Sequence, residues 1–514
     1  MERELRLPRI SPFLLVVAAG AAVKMAIHLL TASNYGYFCD ELYTISLSKH
    51  LAFGYVDLPP LVPALVALTR LVLGESLFAL HIVPALAGAG TLIFVCLLTR
   101  EMGGKLVATA IAAMSVLIAP VWLILDSFFC YDSIDQLLLA AFLFTLVRLI
   151  RTGNVRLWLI AGALAGVACL AKNTILFLGP GLLLALLATP RRKDLLSPWV
   201  WMGLAAFLAI ISPYVAWEIL NKWPTLDFWN TYRTTKLYHA SPGEYLLSIA
   251  MTMNPAIVPL LLLGASRIIS RFWQEGYRFL AILVVPTFVL LIALHARSFM
   301  LSELFIPVLA AGAILLEELT LKLRGKTVTR AAIFTVMAAG GILVLPSSVP
   351  LLPLPQLKAY ARSFSFLWEP IKDFNDPKSA FPQEFSNRIG WDELVEQVAH
   401  VYNGLSAEDK KKVGIWGDWY GPAGAIDVLG AKYGLPHAVS GHMNYYLWGP
   451  GEYSWEVMIF VTGAMDQLKA LFWEVDMKTV IQNDYAMPYN HNIIYVCRGP
   501  RMPPASIWKY LKNY

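Results

Sequence analysis

The residues most able to do chemistry come early in the chain. Cys39, Asp40 and Glu41 follow an apolar run at residues 11–31, which is long enough to cross a bilayer as a helix. Acidic side chains are costly near hydrocarbon and are kept there for a purpose. A carboxylate fixed at a membrane face can take the proton of a hydroxyl nucleophile. Asp57 follows in the turn Tyr55-Val56-Asp57-Leu58-Pro59-Pro60, and Asp132 stands at the start of a later apolar run, with Asp126 and Asp135 as neighbours. Two cations stand out: Lys172, between two short apolar runs, and Arg297, at the end of another. A leaving group that gains negative charge needs such a cation, and a phosphate is a natural partner for an ammonium held inside a helix bundle.

The elements that must position these groups are membrane spans. Hydrophobic residues make up 57% of the 514 and charged residues 15%, which excludes an ordinary soluble domain. About eleven spans are expected from hydropathy, near residues 11–31, 78–98, 106–124, 134–149, 157–171, 173–188, 198–217, 247–266, 278–295, 301–318 and 329–346. The first run is too long for a signal-peptide core and is read as an anchor. Alternate loops carry the basic residues: Arg3, Arg6, Arg9; Arg100, Lys105; Arg148, Arg151, Arg156; Arg191, Arg192, Lys193; Arg267, Arg271, Arg278; Lys322, Arg324, Lys326, Arg330. The positive-inside rule puts these in the cytoplasm. The N-terminus is then cytoplasmic, and residues 32–77, the loops near 126–132 and 218–246, and the tail lie outside. Counted from either flanking cytoplasmic loop, about sixteen residues of helix cover roughly 24 Å, so Lys172 is expected near the outer side, as an unpaired ammonium inside the bundle.

The tail has soluble proportions. Residues 413–416, 457–461 and 492–497 read as short buried strands, and residues 391–405 and 465–472 as amphipathic helices. The expected organisation is therefore a membrane domain over 1–346, including the outside loop 32–77, a Pro-rich linker at 347–355, and a small extracytoplasmic α/β domain over 356–514. The five cysteines show no metal-type spacing.

Asp40-Glu41-Leu42-Tyr43, then Gly54-Tyr55-Val56-Asp57-Leu58-Pro59-Pro60, then Arg100-Glu101-Met102-Gly103-Gly104, in that order, resemble the first outside loop and second span of family 39 membrane glycosyltransferases. These are the GT-C enzymes that include protein O-mannosyltransferases and lipid A aminoarabinose transferases. The resemblance continues through Asp132, Arg297-Ser-Phe-Met and Pro307. In the tail it runs through Gly390-Trp391, Tyr420-Gly421, Ala425-Ile426-Asp427, Gly434-Leu435-Pro436 and Ser440-Gly441-His442 to Trp448-Gly449-Pro450, as in a bacterial branch of the family. It implies a polytopic α-helical GT-C protein of the bacterial inner membrane. Its activity would be inverting transfer of a sugar from a polyprenyl-phosphate donor to a cell-envelope glycan, lipid or protein acceptor on the outer face, with no nucleotide or nucleic acid involved. Asp40 matches the family's catalytic aspartate. Asp132 belongs to the same expected site, and Glu41 is either an orienting, acceptor-binding or structural residue. Lys172 and Arg297 would hold the donor phosphate, and Tyr55, Asp57, Pro59 and Pro60 would form a site loop. His442, Asn444 and Trp448 would lie in the acceptor region. One departure is Leu58, where the aminoarabinose transferases carry Lys before the Pro-Pro pair, so the phosphate must be held by other groups.

Each of these residues also fits a structural role. Asp40 and Asp132 could cap helix N-termini, Asp57 could fix its turn, and Arg297 could snorkel at the interface. His81, His239, His295 and His442 are all expected outside, but their scatter gives no ligand set with Asp57, and a divalent metal requirement has no support in the spacing. The aromatic stretch 223–245 fits a sugar face or an interfacial belt. If Asp40 and Asp132 converge, Cys39 and Cys130 approach each other, and either a disulfide or two buried thiols would fit. The rival reading is a polytopic transporter of a lipid-linked or small anionic substrate. It requires repeated broken helices, and no internal repeat is visible.

Overall fold

The computed structural model describes residues 11–235, 241–371, 379, 381–487 and 492–514. His239, Arg3, Arg6 and Arg9 lie outside the described residues.

Among the described residues, seven helices are long and apolar enough to cross a membrane, or up to nine if each of two bent pairs is one span. The seven are Pro12–Thr31, Leu77–Glu101, Tyr131–Thr152, Pro198–Leu220, Glu275–Ala293, Ser298–Leu321 and Lys326–Ser347. The bent pairs are Ile175–Ala188 with Pro190–Leu196, at 99°, and Pro242–Met253 with Val258–Ser270, at 106°. The remaining two expected spans appear as shorter apolar helices, Leu106–Ile118 and Leu157–Ala171. Neither needs full length, because neighbouring helices cover it. Leu106–Ile118 ends at Ala119, before Pro120 opens a separate short helix, Pro120–Leu125, since proline cannot continue the hydrogen-bond ladder. Its other end is tied to a neighbour: Glu317 accepts hydrogen bonds from the Lys105 amide at 2.9 Å and the Val107 amide at 3.0 Å.

Local chemistry sets the boundaries of the first spans. Ser11 accepts from the Leu14 amide, with Pro12 at the first helical position, and Ser76 caps Leu77–Glu101 by accepting from Ala79; both are standard helix starts. Gly153 ends Tyr131–Thr152 with φ 67°, a left-handed conformation that glycine adopts without a Cβ clash.

The first span carries a buried charge. The Lys24 ammonium donates to the Trp122 carbonyl at 2.6 Å and pairs with Asp126 at 2.8 Å, with neither side chain exposed. Gly88 makes room for the pair: a Cβ there would lie 2.3 Å from an Asp126 carboxylate oxygen. Asp126 is thus spent on helix packing.

Residues 32–77 are mostly helical. They hold Cys39–Ser48 and Leu61–Leu73, joined by the tight 52–60 turn. The tail holds a five-stranded sheet of order β2-β1-β3-β5-β4, with β1 Gly414–Gly417, β2 Ala438–Val439, β3 Val457–Thr462, β4 Phe472–Val480 and β5 Ile493–Pro500. β1 is parallel to β2 and β3, whereas β5 is antiparallel to both β3 and β4. The expected strands at 413–416, 457–461 and 492–497 become β1, β3 and β5. The expected helices become Trp391–Asn403 and Met465–Leu471. β4 carries no burial alternation because it is a sheet edge, with Trp473 and Met477 both exposed. The Pro-rich stretch is packed rather than loose: the Asn34 amide group donates to the Pro350 carbonyl at 2.7 Å, and the Tyr35 hydroxyl donates to the Leu352 carbonyl.

Candidate active site

The helix Cys39–Ser48 presents Asp40 in its first turn. Its start is clamped by Glu41, which is 1% exposed. One Glu41 oxygen accepts from the Phe38 amide at 2.8 Å. The other accepts from the Phe129 amide at 2.7 Å and lies 2.8 Å from His81 Nε2. His81 Nδ1 lies 2.6 Å from the Ala32 carbonyl, which can only accept, so Nδ1 carries a hydrogen. Burial pushes the Glu41 carboxyl up, but the His81 and Arg388 charges and the Phe129 hydrogen bond outweigh it and hold Glu41 below the ordinary value. Glu41 therefore joins three segments of chain at the base of the site.

Loss of that clamp should be read first as loss of stability. Glu41→Gln keeps the side chain's size and removes its charge, leaving His81 buried against a neutral amide. Breaking a buried pair in this way costs about 3–5 kcal/mol, so a clear fall in the detergent unfolding midpoint is expected. An unchanged midpoint would show that the clamp is dispensable. Because folding depresses the Glu41 pKa, its contribution is full above the unfolded carboxylate value. It is lost as pH falls through the depressed folded value.

The tail reaches this helix directly. The Tyr420 hydroxyl donates to Asp40 Oδ1 at 2.8 Å, and the Cys39 thiol lies 3.3 Å from the same oxygen. Burial and the Asp40 charge push the Tyr420 phenol well up, so it remains a donor. Tyr420 stacks on Tyr43 at 4.6 Å, and Tyr43 donates to Asp57 at 2.9 Å. The Asn387 carbonyl accepts from the Cys39 amide at 3.1 Å. Arg388 donates to the Ser127 carbonyl at 3.2 Å and the Ser127 hydroxyl at 2.6 Å, and lies over Phe128.

A second polar group lies beside the first. Asp132 opens the helix Tyr131–Thr152 and forms an ion pair of 2.5 Å with Lys172. Lys172 is not the unpaired ammonium expected from sequence. It ends Leu157–Ala171 with extended backbone, which carries its side chain across to Asp132. Asp135 and Glu303 also act on it electrostatically, and the Thr174 hydroxyl donates to Asp135. The Lys172 ammonium lies 5.1 Å from the Tyr131 ring and 5.7 Å from Phe299. Arg297 opens the 3-10 turn Ser298–Leu304, which carries Phe299 and Glu303.

The two groups meet at Tyr131, whose phenol feels the charges of Asp132, Asp40 and Asp57. Asp40 and Asp132 likewise both act on the Cys130 thiol. Cys39 and Cys130 are both free and buried, with no bridge between them.

The other anticipated residues divide. Tyr55 is fully buried, and its hydroxyl accepts from the Ala52 amide at 3.1 Å, so it staples its own turn. Pro59 is buried and Pro60 starts Leu61–Leu73. Asn444 ties the tail to the turn, accepting from the Val56 amide at 3.0 Å while its own amide donates to Tyr43. His442 Nδ1 accepts from the Tyr420 amide at 3.4 Å. Trp448 packs 4.5 Å from His50 and 4.8 Å from Tyr445. Among the described residues no group of three or more His, Cys, Asp or Glu could hold a metal ion.

Tyr420, Tyr43, His81, Arg388, Asp135 and Glu303 carried no assigned role in the sequence reading. Tyr43 and Tyr420 do lie within stretches that resembled the family, at 40–43 and 420–421. The pairing of His81 with Glu41 leaves no local pattern.

Comparison with known proteins agrees with this architecture. Residues 57–217 match the sequence model of the dolichyl-phosphate-mannose-protein mannosyltransferase family. The structure resembles that of ArnT from Cupriavidus metallidurans bound to undecaprenyl phosphate, at 14% identity and TM-score 0.54, covering 94% of this chain and 97% of that one. It resembles the apo form of the same protein at 15% identity and TM-score 0.57, with the same coverage. No curated protein sequence matches the chain. The fold is of GT-C type, a polytopic helical membrane bundle with a small sheet in the tail. Within it, residues 57–217 carry the similarity to the mannosyltransferase family that the sequence motifs led us to expect.

Proposed function

We propose that the protein transfers a sugar from a polyprenyl-phosphate donor to an acceptor hydroxyl at the extracytoplasmic face, by a single inverting displacement. The observation that carries this is Tyr131, with the Lys172 ammonium 5.1 Å from its ring and the Asp40 carboxylate acting on its phenol. A candidate base and a candidate phosphate-binding cation thus flank one small region. The acceptor oxygen attacks the anomeric carbon and the bond from that carbon to the phosphate oxygen breaks. The acceptor proton passes to Asp40, and the lipid phosphate leaves with one more negative charge, met by Lys172. Asp132 holds Lys172 in place, Glu41 holds the Asp40 helix, and Arg297 is a second candidate for the phosphate. Asp57, through Tyr43, and the turn bearing Tyr55, Pro59 and Pro60 shape the loop beside Asp40. His442, Asn444 and Trp448, which pack the tail against this loop, are our candidates for the acceptor region.

The distribution of Lys and Arg supports a cytoplasmic N-terminus and an extracytoplasmic tail. The family resemblance supports the bacterial inner membrane as the location, with a cell-envelope glycan, lipid or protein as the acceptor class. Residues 1–346, 347–355 and 356–514 remain our division into membrane domain, join and extracytoplasmic domain. The solved relative's undecaprenyl phosphate supports a polyprenyl carrier here. The transporter alternative would account for the two bent helix pairs, but not for a carboxylate and a cation flanking one region.

The test uses purified full-length protein in detergent with undecaprenyl-phosphate-linked sugars and an envelope extract as acceptor. Release of undecaprenyl phosphate that depends on the extract is expected. Binding of the lipid with no cleavage of any such donor would contradict the proposal.

A further inference from the structure

The tail supplies a hydrogen bond to the candidate base itself. Tyr420 begins the helix Tyr420–Leu429, 380 positions from Asp40 in sequence, yet its hydroxyl lies 2.8 Å from Asp40 Oδ1. The contact is built from several sides. Tyr420 stacks on Tyr43 at 4.6 Å, meets Trp419 edge-on at 5.0 Å and lies 5.0 Å from His442. Its backbone amide donates to His442 Nδ1. The helix behind it can approach closely because residue 424 is glycine: a Cβ there would lie 3.0 Å from the Leu42 carbonyl carbon. A side chain with an aromatic ring to pack and one hydroxyl to place has its hydroxyl on the carboxylate.

We infer that Tyr420 is a positioning residue for Asp40, so that the extracytoplasmic tail completes the catalytic apparatus rather than merely covering it. This rests on the proposed role of Asp40. A hydrogen bond to a carboxylate favours its charged form, so Tyr420 keeps Asp40 ready to accept a proton at lower pH. It also fixes the rotamer that points the carboxylate at the acceptor, since a general base must lie within hydrogen-bond reach of the proton it takes. The Tyr420 hydrogen stays on its own oxygen throughout, and the acceptor's proton goes to Asp40. A tail drawn away from the membrane helices would leave Asp40 without this donor, which ties the chemical step to the docked state of the tail.

The experiment uses the full chain and four proteins: wild type, Tyr420→Phe, Tyr445→Phe and Asp40→Asn. Tyr420→Phe keeps the ring and its stacking and removes only the hydroxyl. Tyr445→Phe is the structural comparison: Tyr445 joins the tail to the same helix, its hydroxyl donating to Asp427 at 2.8 Å and lying 3.0 Å from the Ser46 hydroxyl, without a hydrogen bond to Asp40. Turnover is followed across pH at saturating donor. For Tyr420→Phe the acid limb of kcat is expected to move up by about one pH unit, with about a tenfold loss of rate at the foot of that limb and no change in donor KM. For Tyr445→Phe the limb should stay where it is in wild type. An unmoved limb in Tyr420→Phe, or an equal movement in Tyr445→Phe, overturns the inference, whatever happens to stability. Asp40→Asn separates the two levels: if it retains activity, the base assignment itself fails. If it is inactive while Tyr420→Phe behaves as wild type, only the role of Tyr420 fails.

Discussion

Asp40→Asn is expected to insert and fold as wild type does and to lose transfer by about a hundredfold or more, the range typical for removal of a general base. The substitution is nearly isosteric. An asparagine amide oxygen still accepts from the Tyr420 hydroxyl, which lies 2.8 Å from Asp40 Oδ1. It also still suits the first turn of Cys39–Ser48, so a capping role would survive it. What it cannot do is take a proton. Turnover of a polyprenyl-phosphate sugar and the detergent unfolding midpoint, measured on the same preparation, separate the two roles. Activity within a few-fold of wild type would remove Asp40 as the base and return it to helix capping.

Replacing Lys172 should cost both fold and function, and the two can be pulled apart. Had Lys172 been unpaired, Lys172→Met would leave stability unchanged or improved. Its 2.5 Å ion pair with Asp132 reverses that expectation. The single substitution leaves Asp132 buried without its partner, with Asp135 and Glu303 nearby. Breaking such a pair costs about 3–5 kcal/mol. The double variant Lys172→Met, Asp132→Asn removes both charges and should recover most of that stability. Transfer should stay at least about a hundredfold down, because the leaving phosphate has lost its cation. A double variant that folds and transfers at the wild-type rate would make Lys172 a packing residue and shift the phosphate to Arg297.

Patterns along the chain made much of this architecture legible. The long apolar runs follow from local physics and correspond to helices of the fold. Leu106–Ile118 stops short of the expected residue 124 because Pro120 interrupts it and opens a separate helix. Asp40 could be singled out because it follows a span and begins a helix. Glu41, its neighbour, could not be assigned, since its partners His81 and Phe129 lie 40 and 88 residues away. Lys172 was recognised as an unusual cation, but its partner lies 40 residues earlier, on another helix. Tyr420 and Arg388 were harder still, because their contacts form only where the tail packs against residues 32–77 and 126–132. Edge strand β4 escaped notice because neither of its faces is fully buried.

The central claim is that Asp40 and Lys172 serve one donor site. A structure of the full-length protein with a bound undecaprenyl-phosphate sugar tests it most directly. The account predicts a phosphate oxygen within about 3 Å of the Lys172 ammonium, with the Asp40 carboxylate on the opposite side of the anomeric carbon, where an attacking hydroxyl would stand. A phosphate held elsewhere in the bundle, with Lys172 still closed on Asp132 and Asp40 remote from the sugar, would contradict it.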